Sequence, residues 1–348
     1  MALAAEQHFN GDLSGIAITR YGHGMPTKRI RVVEAGHPVP DSAGEAAARE
    51  IFASTQELKE DDLLLALLSG GGSSLLAFPI EGLSMAELKS LTGQLLRSGA
   101  TIQEINTVRK HLSAIQGGRL AAACRAPVLA LVISDVTGDD PTHIASGPCA
   151  SDPTTVADAK AVLAKYGIDF RGPFSESPKS VQATNKVIAT AYRSLEAAAE
   201  VFRRRGIKPL ILGDTITGEA REVGIEMAHL ARRTPGPAVL ISGGECTVTV
   251  QGEGGRGGRC CEFLLSLGIE SRGIWAIAAD TDGIDGTEDN AGAVLTPDFL
   301  QRAAKVSVSA QEMLAQHDSY GFFSALGDLV VTGPTRTNVN DYRAILVP

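Results

Sequence analysis

Leu63-Leu64-Leu65-Ala66-Leu67-Leu68-Ser69-Gly70-Gly71-Gly72-Ser73-Ser74 is an unbroken apolar run that stops abruptly in a polar, glycine-rich loop. A run this short is too brief for a typical helix, and its lack of alternation points to a strand covered on both faces. Similar runs recur at 128–134, 210–213, 238–242 and 274–279, each halted by Gly, Ser or Asp. Strands of this kind suit parallel pairing with helices above and below, so the pattern predicts an α/β protein.

The intervening segments have helical spacing. In 101–115, Ile105, Val108, Leu112 and Ile115 fall on one side, while Asn106, Arg109, Lys110 and Ser113 gather on the other. Further helices are expected over 157–165, 180–204 and 218–232, with Gly206 closing the second of these. Thr234-Pro235-Gly236-Pro237 is the best linker, which predicts domains over 1–234 and 235–348. A chain of 348 residues exceeds what one core usually serves, in keeping with two domains.

Composition narrows the function. Hydrophobic residues make up 44% and charged residues 21%, as in ordinary globular proteins. No apolar run approaches membrane-spanning length, and the N-terminus has no export pattern, so a cytoplasmic location away from membranes is expected. A net charge of −8 argues against a nucleic-acid partner, although it leaves room for a small anion bound by a local basic cluster. The five cysteines form no C-x-x-C pair, so neither a disulfide framework nor a zinc site is expected.

Six segments carry candidate chemistry. The loop from Ser69 through Gly70, Gly71, Gly72 and Ser73 lets backbone approach an anion, yet no G-K-[ST] comes after it, so it is not a Walker A loop. Asn106, Arg109 and Lys110 could hold a carboxylate and a phosphate from one helix face. Ser134-Asp135-Val136-Thr137-Gly138-Asp139-Asp140, with Ser146-Gly147-Pro148 beyond it, places acids where α/β proteins bind ligands and Mg²⁺. Gly243-Gly244-Glu245 precedes a loop whose Gly252, Gly254 and Gly257 spell G-x-G-x-x-G. The residues before that loop alternate like a hairpin strand, and Arg256 and Arg259 suit a transferring phosphoryl group better. Asp280-Thr281-Asp282-Gly283-Ile284-Asp285 comes directly after a strand but misses the spacing of an EF-hand. Last comes the polar loop from Thr332 to Asp341, with Thr335 and Asn338, ahead of a final strand at 344–347.

In this order the six segments resemble the class II glycerate 2-kinases, whose C-terminal portion is the MOFRL domain. The resemblance runs from His37-Pro38 to Asn340-Asp341. It implies a Rossmann-like three-layer N-terminal α/β domain and a smaller C-terminal α/β domain. It also implies phosphoryl transfer from ATP, with Mg²⁺, to the 2-hydroxyl of D-glycerate. Arg259 matches the family's catalytic arginine, while Asp135 and Asp282 are the candidates for the general base and for the metal. Ser69, Gly70, Gly71, Gly72, Ser73, Gly243, Gly244, Glu245, Gly257, Gly258, Thr335 and Asn338 would meet the nucleotide, and Asn106, Arg109 and Lys110 the glycerate. Its partners would be these small molecules, with a homodimer allowed.

Two departures bear on activity. The family carries a Gly-Lys-Ala at an early helix, and Met1-Ala2-Leu3-Ala4-Ala5 resembles the continuation of that helix just after the lysine. The helix's preceding strand and the lysine are therefore expected to fall outside this sequence. An exposed sheet edge, low stability and weak activity are the expected consequences. Cys260-Cys261 stands where the family has Asn-Gln, so an amide contact is replaced by a weak thiol donor. The rival readings are an NAD(P)-dependent hydroxypyruvate reductase, a label often given to this family, and an impaired ligand-binding homologue.

Overall fold

The computed structural model describes residues 1–136, 138–250, 254–271 and 273–348. Thr137 of the acidic loop and Gly252 of the glycine pattern lie outside the described residues. The chain divides into two compact units, Met1–Ile188 and Ala189–Pro348.

The first unit runs α1 (Ala2–His8), β1 (Gly15–Arg20), β2 (Ile30–Ala35), α2 (Ser42–Glu57), β3 (Leu64–Leu68), α3 (Gly72–Leu75), α4 (Met85–Arg97), α5 (Ile102–Leu112), α6 (Arg119–Ala123), β4 (Val128–Ile133), α7 (Val156–Lys165) and β5 (Thr184–Ala189). Its strands form two sheets. β1 pairs with β2 in parallel, and β3-β4-β5 make the other, with β3 and β4 parallel and in register from Leu64 opposite Val128. Among the described residues β1 and β3 each pair with a single neighbour, and the leucines of β3 are only half-buried around Ala66.

The second unit begins with α8 (Ala191–Arg203), β6 (Lys208–Gly213), β7 (Gly218–Glu219), α9 (Ala220–Arg233), β8 (Ala238–Gly244) and β9 (Cys246–Thr247). It continues with α10 (Arg259–Glu270), β10 (Trp275–Asp280), β11 (Gly292–Leu295), α11 (Phe299–Lys305), α12 (Ala310–Ala315), α13 (Ser319–Leu326), β12 (Leu329–Val330) and β13 (Asp341–Val347). Its sheet has the order β12-β11-β10-β13-β8-β6. Residues 260–268 of α10 are all buried, as expected of a helix apolar on most of its circumference and enclosed by its neighbours. Gly224 permits α9 to lie against it, because a Cβ there would come within 2.6 Å of the Phe263 carbonyl oxygen.

Two expectations change. The segment 180–204 is not one helix: Thr184–Ala189 forms β5, and only the Ala- and Glu-rich remainder is helical. Burial along β5 alternates, which is strand periodicity that the helix-forming residues after it obscured. The sheet of the second unit is mixed, since β13 runs antiparallel to both β8 and β10 and only β6 with β8 is parallel. By compactness the chain divides before α8, while the Pro-Gly-Pro segment lies within the second unit. The reason is that β6 pairs with β8 and α8 packs on both, so 189–234 is built into the second sheet. Gly206 does end α8, with a φ of +74°.

Lys110 also departs from its expected place. It is buried and makes a 2.6 Å ion pair with Asp152, whose other donors are the Thr154 N–H and the hydroxyls of Thr154 and Ser177. Burial pushes the Asp152 carboxyl up, but Lys110 and the two hydroxyls outweigh it and hold the group at about 2. An unfolded aspartate titrates near 3.9, so this contribution is fully present above about pH 4 and is lost as the pH falls towards 2. Lys110→Met should strand the buried carboxylate and cost about 3–5 kcal/mol in urea unfolding. It should also raise the pH at which acid unfolding begins. An unchanged urea midpoint would show that the pair does not hold the first unit together.

Candidate active site

The first unit assembles its constellation around the loop after β3. A Cβ on Gly70 would lie 2.0 Å from Oδ2 of Asp135, and one on Gly72 would lie 2.5 Å from Cβ of Ala145. The acidic segment after β4 is therefore packed directly on the glycine loop. Gly71 has a φ of +78°, and its vacant Cβ position is 3.1 Å from the edge of the His37 ring. Ser73 Oγ meets Ser146 Oγ at 2.8 Å. Ala145, Ser146 and Gly147 have φ of 52°, 58° and 59°, so two of the three lack the glycine that such backbone favours. Strain of this kind persists only where the surroundings fix it, and here the turn is clamped by the hydrogen bonds of Gly117 N–H to Ser146 and Gly118 N–H to Gly147.

α5 supplies the cation. Asn106 is buried, with its Oδ1 accepting from Ser146 Oγ at 3.2 Å and from Arg109 Nη1 at 3.4 Å, while its amide donates to the His143 carbonyl. The Asn106 side chain is thus engaged in orienting Arg109 and the 143–146 turn. Arg109 lines a small cavity with Ser73, Phe78, Thr92, Ser113 and Gln116, and burial lowers its pKa. Its charge, with that of Arg20, also reaches His37, whose pKa is lowered by burial first and then by Arg20, Arg109 and His23. Of the three α5 residues expected to meet substrate, Arg109 lines this cavity. Asn106 supports it, and Lys110 faces Asp152.

The second unit builds a different site at the start of α10. Arg259 is its first residue and is 21% exposed. Its Nε donates to Asp341 at 2.8 Å, its Nη2 to Asp280 at 2.6 Å, and its Nη1 lies 3.2 Å from Glu245. These acids raise the Arg259 pKa despite burial. Burial above all, helped by the carboxylates of Asp282 and Asp341, holds the Asp280 carboxyl at about 7 even though Arg259 pulls it down. Asp341 is buried and also accepts from Arg343 Nη2 at 2.7 Å. The loop before β13 is fastened to this cluster: Thr335 N–H donates to the Asp282 carbonyl, Thr335 Oγ1 to the Thr281 carbonyl, and Thr281 Oγ1 to that of Asn340. Asn338 Oδ1 holds the Asn340 N–H at 2.8 Å. Arg259, Asp280, Asp282, Glu245 and Thr335 therefore form one neighbourhood. Among the described residues no three His, Cys, Asp or Glu side chains converge as a metal cage.

The glycines of this unit make room for protein. A Cβ on Gly244 would fall 2.2 Å from the Ile216 carbonyl oxygen, one on Gly257 2.4 Å from Ser319 Oγ, and one on Gly258 2.2 Å from Asp285 Oδ1. Gly243 offers its carbonyl to Ile216 N–H. The buried Asp285 carboxylate caps α10, accepting the N–H groups of Cys260 and Cys261 at 2.9 Å each. Both cysteines are fully buried, so neither thiol replaces an amide that faces a ligand. Arg256 instead pairs with Glu288 and stacks on Tyr320.

Asp341 closes the sixth candidate segment but was given no role there, and Arg343 was not singled out. Their signal was present: two charges two residues apart, hence on one face, at the head of a strand that is otherwise apolar.

Two family descriptions match the chain, "Domain of unknown function (DUF4147)" over residues 1–196 and "MOFRL family" over 238–341. It is 52% identical to a protein of Agrobacterium vitis described as a putative hydroxypyruvate reductase, over 97% of this chain and 82% of that one. It is 40% identical to the glycerate 2-kinase of Pyrococcus horikoshii, over 94% of this chain and 80% of that one. The crystal structure of the Thermotoga maritima glycerate kinase superposes with a TM-score of 0.89 at 39% identity, covering 96% of this chain and 85% of that one.

Asp285→Ala should leave two N–H groups buried without acceptors and destabilise the second unit by about 2–3 kcal/mol in urea unfolding. A change below about 0.5 kcal/mol would mean that the cap contributes nothing.

Proposed function

The chain belongs to the glycerate 2-kinase family, and from that premise we propose that it transfers the γ-phosphoryl group of ATP to the 2-hydroxyl of D-glycerate. The products are then 2-phosphoglycerate and ADP. The observation that carries this reading is the cavity beside the glycine loop in which Arg109 stands with Ser73, Ser113 and Gln116, in a chain of net charge −8. A local positive field in an acidic protein is built for an anion. Arg109, oriented by Asn106, holds the glycerate carboxylate, while the backbone from Ser69 to Ser73 gives an anion close approach.

Arg259 stabilises charge on the transferring group. Its Nε and Nη2 are anchored on the nearly inaccessible Asp341 and Asp280, so the guanidinium is oriented before substrate arrives. Glu245, 56% exposed, is the partner most easily displaced. Asp282 beside Asp280 is the pair suited to Mg²⁺. The rise in the Asp280 pKa begins with burial and is increased by carboxylate charge that Arg259 does not fully neutralise, which a divalent cation would relieve. Mg²⁺ usually arrives with phosphates and takes only one or two protein carboxylates, so a full cage is not required. The ion would neutralise phosphate oxygens. Asp135 remains the second candidate ligand, and Thr335, bonded to the Asp282 carbonyl, and Asn338 of the same loop are the nucleotide contacts.

The reductase reading has the names of relatives in its favour. The geometry of α10 speaks against it. A dinucleotide pyrophosphate needs free N–H groups at a helix start, and those of Cys260 and Cys261 already hold Asp285.

A coupled ADP-release assay with ATP, Mg²⁺ and D-glycerate should show turnover. Arg109→Ala should raise KM for glycerate by about 10–100-fold, the loss expected for a charged hydrogen bond. Arg259→Ala should lower kcat by about 10²–10³-fold. Oxidation of NAD(P)H by hydroxypyruvate without ADP release would overturn the kinase reading in favour of the reductase.

A further inference from the structure

His37 lies in the loop between β2 and α2, and neither the carboxylate nor the phosphate contacts assigned to the kinase call on it. Both Cδ2 and Nε2 of its ring are 3.1 Å from the position a Cβ would take on Gly71, so this edge lies over the glycine loop. The residue is exposed, and among the described residues neither ring nitrogen has a hydrogen-bond partner. Charged and titratable groups approach it from several elements. Arg20 ends β1, His23 comes three residues later, and Arg109 comes from α5. The acids nearby are otherwise engaged. Asp41 caps α2 through the Gly44 N–H and accepts the Tyr21 hydroxyl, and the Asp135 carboxylate packs on Gly70.

Partial desolvation of the ring against the loop, then the charges of Arg20, Arg109 and His23, lower the His37 pKa and favour the neutral imidazole, whose lone pair can take a proton. The loop that carries His37 also reaches the Arg109 cavity, since Pro40 lines it together with Ser73. A base there is near the hydroxyl of a 2-hydroxy acid whose carboxylate Arg109 holds, because the carboxylate is bonded to the carbon that bears that hydroxyl. We propose that His37 is the general base that takes the proton from the acceptor hydroxyl. The proposal rests on the reading of this chain as a glycerate 2-kinase.

In the step, the O–H bond of the 2-hydroxyl breaks and its proton passes to Nε2. The hydroxyl oxygen forms a bond to the γ-phosphorus, and the bond from that phosphorus to the β,γ-bridging oxygen breaks. ADP leaves with the electron pair. The imidazolium then returns its proton to water, a release favoured by the flanking Arg20 and Arg109.

The test is the pH dependence of kcat and kcat/KM for D-glycerate in the wild type, His37→Asn and His37→Ala, each first shown to be folded by its thermal melt. His37→Asn should lose about 10²–10⁴-fold in kcat, keep KM within about threefold, and lack the acid limb of the wild-type profile. Imidazole in the buffer should restore part of the His37→Ala rate, in proportion to its free-base fraction. A kcat within about threefold of wild type overturns the proposal and leaves the kinase reading intact. So does a lowered kcat with the acid limb unchanged and no rescue, which would assign the ring to structure. If the wild type itself does not phosphorylate D-glycerate, the kinase reading fails first and the proposal falls with it.

Discussion

A single buried carboxylate, Asp341, bridges two arginines, and much of the second unit is arranged around it. One oxygen receives Arg259 and the other receives Arg343, a side chain that is itself only 1% exposed. Arg343 has few other partners: its Nη2 reaches Cys246 Sγ, its guanidinium stacks over Phe263, and its Nε and Nη1 find no acceptor among the described residues. A carboxylate between two guanidiniums is costly to desolvate and more costly still to break, so it fixes register where an apolar contact would tolerate slippage. β13 sits between β8 and β10, and its register places Asp341 opposite Asp280 and Gly244. Asp285 completes the arrangement by capping α10, so the helix that begins with Arg259 is held at its first turn from two sides.

The two units differ in the sign of the charge they gather. The first places Arg109 beside Ser73 and the His37 ring against Gly71, which favours an anion. The second surrounds one arginine with Asp280, Asp341 and Glu245, with Asp282 beside them, which favours a cation or demands its neutralisation. The glycines of the second unit belong to the protein's own packing. Gly244 makes room for Ile216, Gly257 for Ser319 and Gly258 for Asp285.

Much of the fold was legible because strand ends announce themselves. The runs before Ser69 and Ser134 end where β3 and β4 end, and the polar face of α5 appears at its expected spacing. What escaped was decided by tertiary context. β5 was hidden because its six residues precede a strong helix former, and the antiparallel course of β13 leaves no local mark. Within the site, periodicity identified one polar face on α5 but could not divide it. Arg109 and Lys110 are adjacent, and the latter turns to Asp152 because that carboxylate arrives from a segment far along the chain. His37 was invisible for the same reason, since a lone histidine gains meaning only from Gly71 and Arg109, which the fold brings to it.

The central claim concerns which bond is made, and phosphorus NMR of the reaction mixture reads it directly. With D-glycerate, ATP and Mg²⁺, the account predicts a new monoester resonance whose phosphorus couples to the single proton on C2, growing as ADP appears. Coupling to the two protons on C3, the mark of 3-phosphoglycerate, would contradict the geometry assigned to Arg109 and His37. ADP with inorganic phosphate alone would contradict acceptor phosphorylation altogether.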